Sequence, residues 1–392
     1  MKKPVSIKPL LLFLTLIVLA GQGYAQNDST NLFPIRVDGK EGFIDRTGKV
    51  IIEPRFIMAR AFHDGIALVR NDSFEYGYID ETGQIIIEPK YRHATDFSEG
   101  MAAVCVGNHE SCEWFFIDKT GNITINRHYE AANEFHEGFA AVSIDGKWGY
   151  IDTSGEIVIH PQFDSAGAFE GGIAPVMTKS TSTIKWGFID ETGNYVIEPQ
   201  FSSIPYFSES LLSFERDGKY GYYDTSGKIV IEPQFEETFC FKEGLAAVKK
   251  DGKWGYIDQT GNLVIKPQFD EATAFFEELA CVGIGDWGTR KYGFIDKTGK
   301  YVIEPRFDIA FAFSEELACV GIGTWGTRKY GYIDKSGKFV IEPKYDEGGF
   351  FSNGLTAVYT KDKDTYYYID KQGKIIWEGD LKFYLFVTRF SL

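Results

Sequence analysis

The chain is short of the side chains from which reactive sites are usually assembled. Its 392 residues include only six histidines, five cysteines and four methionines. The histidines (His63, His93, His109, His128, His136 and His160) fall in no HExxH or comparable spacing, so no metal site is expected. A G-x-S-x-G elbow, a phosphate-binding loop and a dinucleotide fingerprint are all missing, which removes the sequence grounds for most hydrolase, nucleotidase and dehydrogenase chemistry. Basic residues are outnumbered, 41 against 56 acidic, for a net charge of −15. Such a chain repels phosphate backbones, so no nucleic-acid partner is expected. Beyond residue 25 no apolar run is long enough to cross a bilayer. These absences predict a non-enzyme with no catalytic residue, metal or cofactor.

What is present begins with an address. Lys2, Lys3 and Lys8 precede an eleven-residue apolar run, Leu10–Ala20, and Gly23-Tyr24-Ala25 places small residues before Gln26. This is the pattern of a secretory signal peptide over residues 1–25, and eleven apolar residues are too few to span a membrane. Cleavage leaves 38 basic and 56 acidic residues, net −18, in a chain expected in the periplasm or outside the cell, with no transmembrane segment. Residues 26–379 then form a repeat array, and residues 380–392 a tail or last strand.

The array is one unit written about ten times. Aligned on one aromatic position, its copies start at Glu41, Tyr76, Trp114, Trp148, Trp186, Tyr220, Trp254, Tyr292, Tyr330 and Tyr366, 34–38 residues apart. A period in that range signals a solenoid, a propeller or a related array. The distance from the start to the Pro position is always 13 residues, then eight to a Phe and seven to a Val or Phe. All variation in length falls between that residue and the next start, which marks a solvent-facing hairpin tip. Short runs of the WGYID, YVIEP and LAAV types, bounded by Gly and Pro, predict three short strands per copy and an all-β meander.

Ten Asp residues, Asp45 through Asp370, end the first run, each with Gly three residues on and, in nine copies, Thr or Ser between. Asp152/Gly155, Asp190/Gly193, Asp258/Gly261 and Asp296/Gly299 illustrate a turn in which Asp accepts backbone N–H groups and Gly supplies positive φ. The several oxygen ligands of a calcium loop are missing. Trp148, Trp186 and Trp254 recur beside Gly, where packing between repeats is the economical use of a large ring. Cys105 and Cys112 flank a hairpin turn and could be bridged in an oxidising compartment, whereas Cys281 and Cys319 replace Ala and read as small buried side chains.

One feature exceeds the needs of a repeat. The stretches ELACVGIGDWGTRKYGFIDKTGK and ELACVGIGTWGTRKYGYIDKSGK are nearly identical and lie 38 residues apart. Each adds an indole and a guanidinium to a variable tip, Trp287 with Arg290 and Trp325 with Arg328, a combination suited to stacking, cation–π contact or hot-spot burial.

The run K-W-G-Y-I-D-x-x-G-x-x-V-I-x-P-Q-F, at Lys147–Phe163 and Lys253–Phe269, followed by F-x-E-G-L-A as at Phe241–Ala246, resembles the bacterial WG-repeat (KWG) family over about residues 32–379. The resemblance implies a β-rich interaction or surface module of variable repeat number and brings no catalytic residues with it. Glu41 and several Tyr depart from Trp, and the third copy has Asn126-Arg127 for Glu-Pro. The expected fold is therefore all-β, about ten tandem three-stranded meanders of 34–38 residues, arranged as an open curved stack or superhelix or as a propeller-like ring. Leu32–Val37 reads as a lone strand before the first full copy; Phe383–Arg389 could finish the last one. The expected role is an exported scaffold that binds a protein, with glycan binding through tip aromatics as the alternative.

Overall fold

The computed structural model describes residues 31–380 apart from 108–111, 181–182, 205–206 and 364. The expected signal peptide and Phe383–Arg389 lie outside the described residues. The described residues are all-β, as their short Gly- and Pro-bounded runs require, and form ten antiparallel sheets in sequence order. Sheet one has three strands, Leu32–Val37, Lys40–Asp45 and Val50–Phe56. Sheet two shows the full pattern, Met58–His63, Ile66–Arg70, Tyr76–Asp80 and Ile85–Tyr91, each strand pairing with the next. Sheets three to ten occupy residues 93–129, 131–163, 165–201, 207–235, 237–269, 271–307, 309–345 and 347–380. The described residues form two compact units, 31–45 with 49–234 and 46–48 with 235–380, and the packing below is that within each.

The sheets differ from the sequence expectation in two respects. Nine of them carry a fourth strand, and the LAAV run pairs with the WGYID run that follows it, as Leu245–Lys250 does with Lys253–Asp258. Each sheet thus straddles two copies of the sequence unit. The additional strand leads each sheet and is bulged, with a register shift between Ala59 and Phe62 in sheet two and between Ala272 and Phe275 in sheet eight. A bulge turns successive side chains out of strict alternation, which hides the strand from a period-two reading. In sheets three, five, six, seven and ten it shrinks to two residues. Four-stranded up-and-down sheets packed face to face are the building units of propellers.

The WG dipeptide and the distant Pro turn out to be one structural device. In sheets one, two, four, five, seven, eight and nine the last strand shifts register where it passes the Gly, as between Trp254↔Phe269 and Tyr256↔Ile265. A Cβ on Gly255 would stand 2.5 Å from the Ile265 carbonyl oxygen and 2.6 Å from the Pro267 nitrogen, so only Gly fits. The Pro in turn blunts the exposed edge of the sheet, since it offers no N–H to a stray strand. The two residues disappear together. Sheet three has Phe115 and Arg127 in their places, and sheet ten has Tyr367 and Gly379.

Between sheets, the core is a repeated aromatic contact. The Phe eight residues beyond the Pro position packs edge-on against the Tyr or Phe of the preceding sheet: Tyr78–Phe97, Phe116–Phe135, Tyr150–Phe169, Tyr256–Phe275, Phe294–Phe313 and Tyr332–Phe351, with centroids 4.7–5.0 Å apart. Each pair adds about 0.5–1.5 kcal/mol to the burial of its area. Where the ring is Tyr, its hydroxyl donates to a backbone carbonyl of the next sheet, Tyr78 to Thr95 at 2.7 Å and Tyr256 to Thr273 at 2.8 Å. Buried polar groups are thereby satisfied across the same contact.

Candidate functional site

Two sets of carboxylates join neighbouring sheets, one at each end of the strands. The first comes from the two-residue turn between the first and second strands. In sheet eight Glu277 takes φ 51°, and the carboxylate accepts the Glu316 amide of sheet nine at 2.9 Å. Glu99, Glu137, Glu243 and Glu315 do the same toward Gly138, Gly171 with Gly172, Glu278 and Gly354. A Lys from the next sheet's Asp-turn joins in, Lys335 on Glu277 at 3.2 Å and Lys371 on Glu315 at 3.1 Å. Left-handed backbone is unfavourable for Glu, so these positions keep it against local preference for the sake of the bond to the next sheet.

At the opposite end, the acid that follows the last strand bridges to the next hairpin tip. Lys253 Nζ lies 2.6 Å from Asp270 Oδ1, and the Gly285 amide donates to Asp270 Oδ2 at 2.9 Å. Lys291–Asp308–Gly323 repeats this at 2.6 and 2.8 Å, Lys329–Asp346–Lys361 at 2.7 and 2.8 Å, and Lys147–Asp164–Lys179 at 2.8 and 2.7 Å.

The regular Asp residues are placed as turn acceptors. Asp152 Oδ1 receives Ser154 N at 2.9 Å, Ser154 Oγ at 2.6 Å and Glu156 N at 3.1 Å, and Gly155 has φ 89°. Asp190, Asp258 and Asp296 repeat the pattern with Thr192, Thr260 and Thr298, ahead of Gly193, Gly261 and Gly299. The hydroxyl bond, followed by the amide bonds, holds each of these carboxyls below the ordinary Asp range. Among the described residues no group of three or more His, Cys, Asp or Glu is placed to hold a metal, and no helix is long and apolar enough to cross a membrane.

The paired tips divide their predicted residues. Trp287 is 68% exposed and Trp325 is 81% exposed, both on the hairpin joining the second and third strands, in sheets eight and nine. The arginines turn inward. Arg290 Nε donates to the Gly285 carbonyl at 3.1 Å, its guanidinium pairs with Glu271, and the Tyr292 hydroxyl donates to the same Glu271 at 2.8 Å. Arg328 Nε donates to Gly323 at 3.3 Å. The room for these side chains comes from Gly283 and Gly321, where a Cβ would stand 2.7 Å from Arg290 Cδ and Arg328 Cδ respectively. The tips therefore present indoles, while the guanidiniums brace the hairpins from behind.

Among the framework aromatics, Trp254 is buried and stacks on Phe239 at 5.0 Å, and Trp114 stacks on His93 at 6.1 Å. Cys281 and Cys319 are buried, and burial pushes the Cys319 thiol up to about 12. Cys105 and Cys112 are paired as a disulfide across their hairpin, with Cα atoms 5.7 Å apart.

Two clefts lie on sheet junctions, and sequence reasoning found neither. One, of about 240 Å³, is lined by Ser73, Phe74, Glu75, Lys90, Arg92, Val106 and Gly107, between sheets two and three. The other, of about 190 Å³, is lined by Glu170, Gly171, Ser208, Glu209, Ser210 and Thr225, between sheets five and six. In the second, Gly171 stands at the position of the bridging Glu and Thr225 at that of its Lys. The signal for both was a substitution at a bridging position, invisible until the bridges were seen.

The model of the WG-containing repeat matches the chain nine times between residues 42 and 363. No protein of curated function matches the sequence. Among solved structures, the fold is similar to a eukaryotic initiation factor, with TM-score 0.49 and 11% identity over 79% of this chain and 94% of that one. It is similar to Kluyveromyces lactis Hsv2, with TM-score 0.36 and 9% identity over 62% and 96% of the two chains. It is also similar to virginiamycin B lyase from Staphylococcus aureus, with TM-score 0.30 and 14% identity over 62% and 92%.

Proposed function

The chain belongs to the WG-repeat family, and on that premise we propose that it is an exported, non-enzymatic scaffold that binds another protein. Export is supported by the charged and apolar pattern of residues 1–25, and the non-enzymatic reading by the lack of any nucleophile–base or metal-binding motif. The observation that carries protein binding is the exposure of Trp287 and Trp325. The fold packs most of its other large rings between sheets, yet holds these two furthest outward of the described aromatics, on equivalent tips that are each braced by an internal arginine. Trp is, with Tyr and Arg, among the residues most enriched at the energetic centres of protein interfaces. Indoles also stack on sugar rings, so a glycan ligand is the second reading of the same tips.

The test is capture from an envelope extract by the mature protein and by a Trp287→Ala/Trp325→Ala variant of equal thermal stability, with captured proteins identified by mass spectrometry. A defined protein held by the first and lost by the second is expected. Equal capture by both overturns the tip assignment, and binding that appears only on a glycan array replaces the protein reading with the carbohydrate one.

A further inference from the structure

The two duplicated tips share their Trp and Arg but differ by two carboxylates. The sheet-eight tip has Asp286 where the sheet-nine tip has Thr324, and the leading strand Glu271–Phe276 opens on a Glu where Ile309–Ser314 opens on an Ile. Both opening residues are in register with the glycine that makes room for the arginine, Glu271 opposite Gly283 and Ile309 opposite Gly321. In sheet eight the arginine is therefore neutralised from inside. Arg290 pairs with Glu271, which also accepts the Tyr292 hydroxyl at 2.8 Å. In sheet nine Arg328 and Ile309 lie together over Gly321, and an apolar side chain stands where the carboxylate was.

Among the described residues Arg328 makes no ion pair. Its Nε donates to the Gly323 carbonyl at 3.3 Å, and its guanidinium bonds the Tyr330 hydroxyl. Asp308 feels its charge, but that carboxylate is already held by Lys291 at 2.6 Å and by the Gly323 amide at 2.8 Å. Arg328 is half-buried, with N–H groups left open to solvent. Its surroundings are apolar. Phe311 replaces the Thr273 of sheet eight and packs its ring 6.4 Å from Tyr330, and the hairpin itself exposes Ile322 and Trp325. A cation among apolar groups attracts an opposite charge more strongly than one in open water, and a guanidinium takes a carboxylate through two parallel bonds.

We propose that the sheet-nine tip docks an acidic segment of the partner protein, with Trp325 packed against the segment and Arg328 paired with an Asp or Glu side chain in it. The proposal rests on the reading of the tips as protein-binding and adds the partner's charge to it. That charge is indicated by the twin tip, where the same Arg and Tyr already hold a glutamate. The sheet-eight tip lacks the preference, because Glu271 occupies its guanidinium and Asp286 repels a second carboxylate. The net charge of −15 does not forbid an acidic partner, since charges more than about 8–10 Å away are screened at ordinary salt.

The test uses a trifluoroacetyl-capped, C-amidated peptide Gly-Leu-Glu-Leu-Gly, followed by fluorine NMR line broadening against the full chain. Binding is expected to weaken at least about tenfold for the Gln analogue, the loss of one charge-assisted bond. Ile309→Glu gives Arg328 the partner that Arg290 has, and is expected to weaken the Glu peptide by a similar factor. Thr324→Asp, on the exposed tip, adds the other carboxylate and serves if that variant does not fold. It is expected to weaken the Glu peptide at least about twofold and to leave the Gln peptide as it was. Trp325→Ala is expected to lose both peptides. Equal affinity for the Glu and Gln peptides overturns the proposal, and if Trp325→Ala still loses both, the tip reading stands without it. Full binding by Trp325→Ala overturns the two together. Undiminished affinity in folded Ile309→Glu or in Thr324→Asp, or no broadening at all, also overturns the proposal. If acetate binds as tightly as the peptide, the site is one for free carboxylates, and the acidic-segment assignment falls.

Discussion

At the scale of single residues, the most informative position is the Gly of the WG dipeptide. Its φ is unremarkable, and its role is to let another strand's backbone approach. A methyl group at Gly255 would meet the Ile265 carbonyl and the Pro267 nitrogen, both backbone atoms that cannot rotate away. Gly255→Ala is therefore expected to destabilise the protein by about 1–3 kcal/mol, the range of an overpacked core. In sheet three the aromatic ring of Phe115 occupies the equivalent position and is buried, so Phe115→Ala is expected to cost about 3–5 kcal/mol as a cavity instead. Denaturant unfolding of the two variants checks both signs: an unchanged midpoint for Gly255→Ala would mean that the last strand yields.

At the scale of elements, the Glu turns link local strain to packing. Glu277 carries a positive φ and bonds to the next sheet through both an amide and Lys335. The ion pair is half-exposed on both partners and is worth little, whereas a carboxylate on a backbone amide is worth more. Glu277→Ala is expected to lower stability by about 1 kcal/mol, and Lys335→Ala by no more than about 0.5 kcal/mol. Thermal melts of the pair would refute this if the lysine variant proved the worse. The turns, the Gly-Pro period and the tip positions were legible because each is written in a few contiguous residues. The leading strand was not, since its bulge between Ala59 and Phe62 breaks the alternation on which strand reading depends. The inward course of Arg290 was hidden for a different reason: it follows from the missing side chain of Gly283, seven residues away in sequence and directly beneath it in space. Glu75 and Arg92, which stand where other copies have the bridging Lys and Asp, were visible as letters but had no meaning before the bridge itself was known.

At the scale of the whole molecule, the chain is a series of junctions made from the same few bonds, and its individuality lies where a bond is missing. Between sheets five and six both the bridging Glu and its Lys are absent, replaced by Gly171 and Thr225. Gly171 has φ 65°, close to the 51–53° of the bridging glutamates, and a Cβ there would meet nothing within 4 Å. Gly171→Glu with Thr225→Lys is thus expected to install the missing link, and its charge-assisted bond of about 1.5–3 kcal/mol outweighs a cost of about 1 kcal/mol for Glu in left-handed backbone, for a net rise of about 1 kcal/mol. A rise no greater than that of Thr225→Lys alone would show that the link does not form.

The bridging glutamates also give the array a direction, because each carboxylate reaches forward to the following sheet. Within the unit of residues 49–234, Glu99 and Glu137 fasten two junctions in this way, and the junction between sheets five and six is a clasp left open. Single-molecule stretching is expected to record its rupture at a force that rises when the Gly171→Glu/Thr225→Lys clasp is closed.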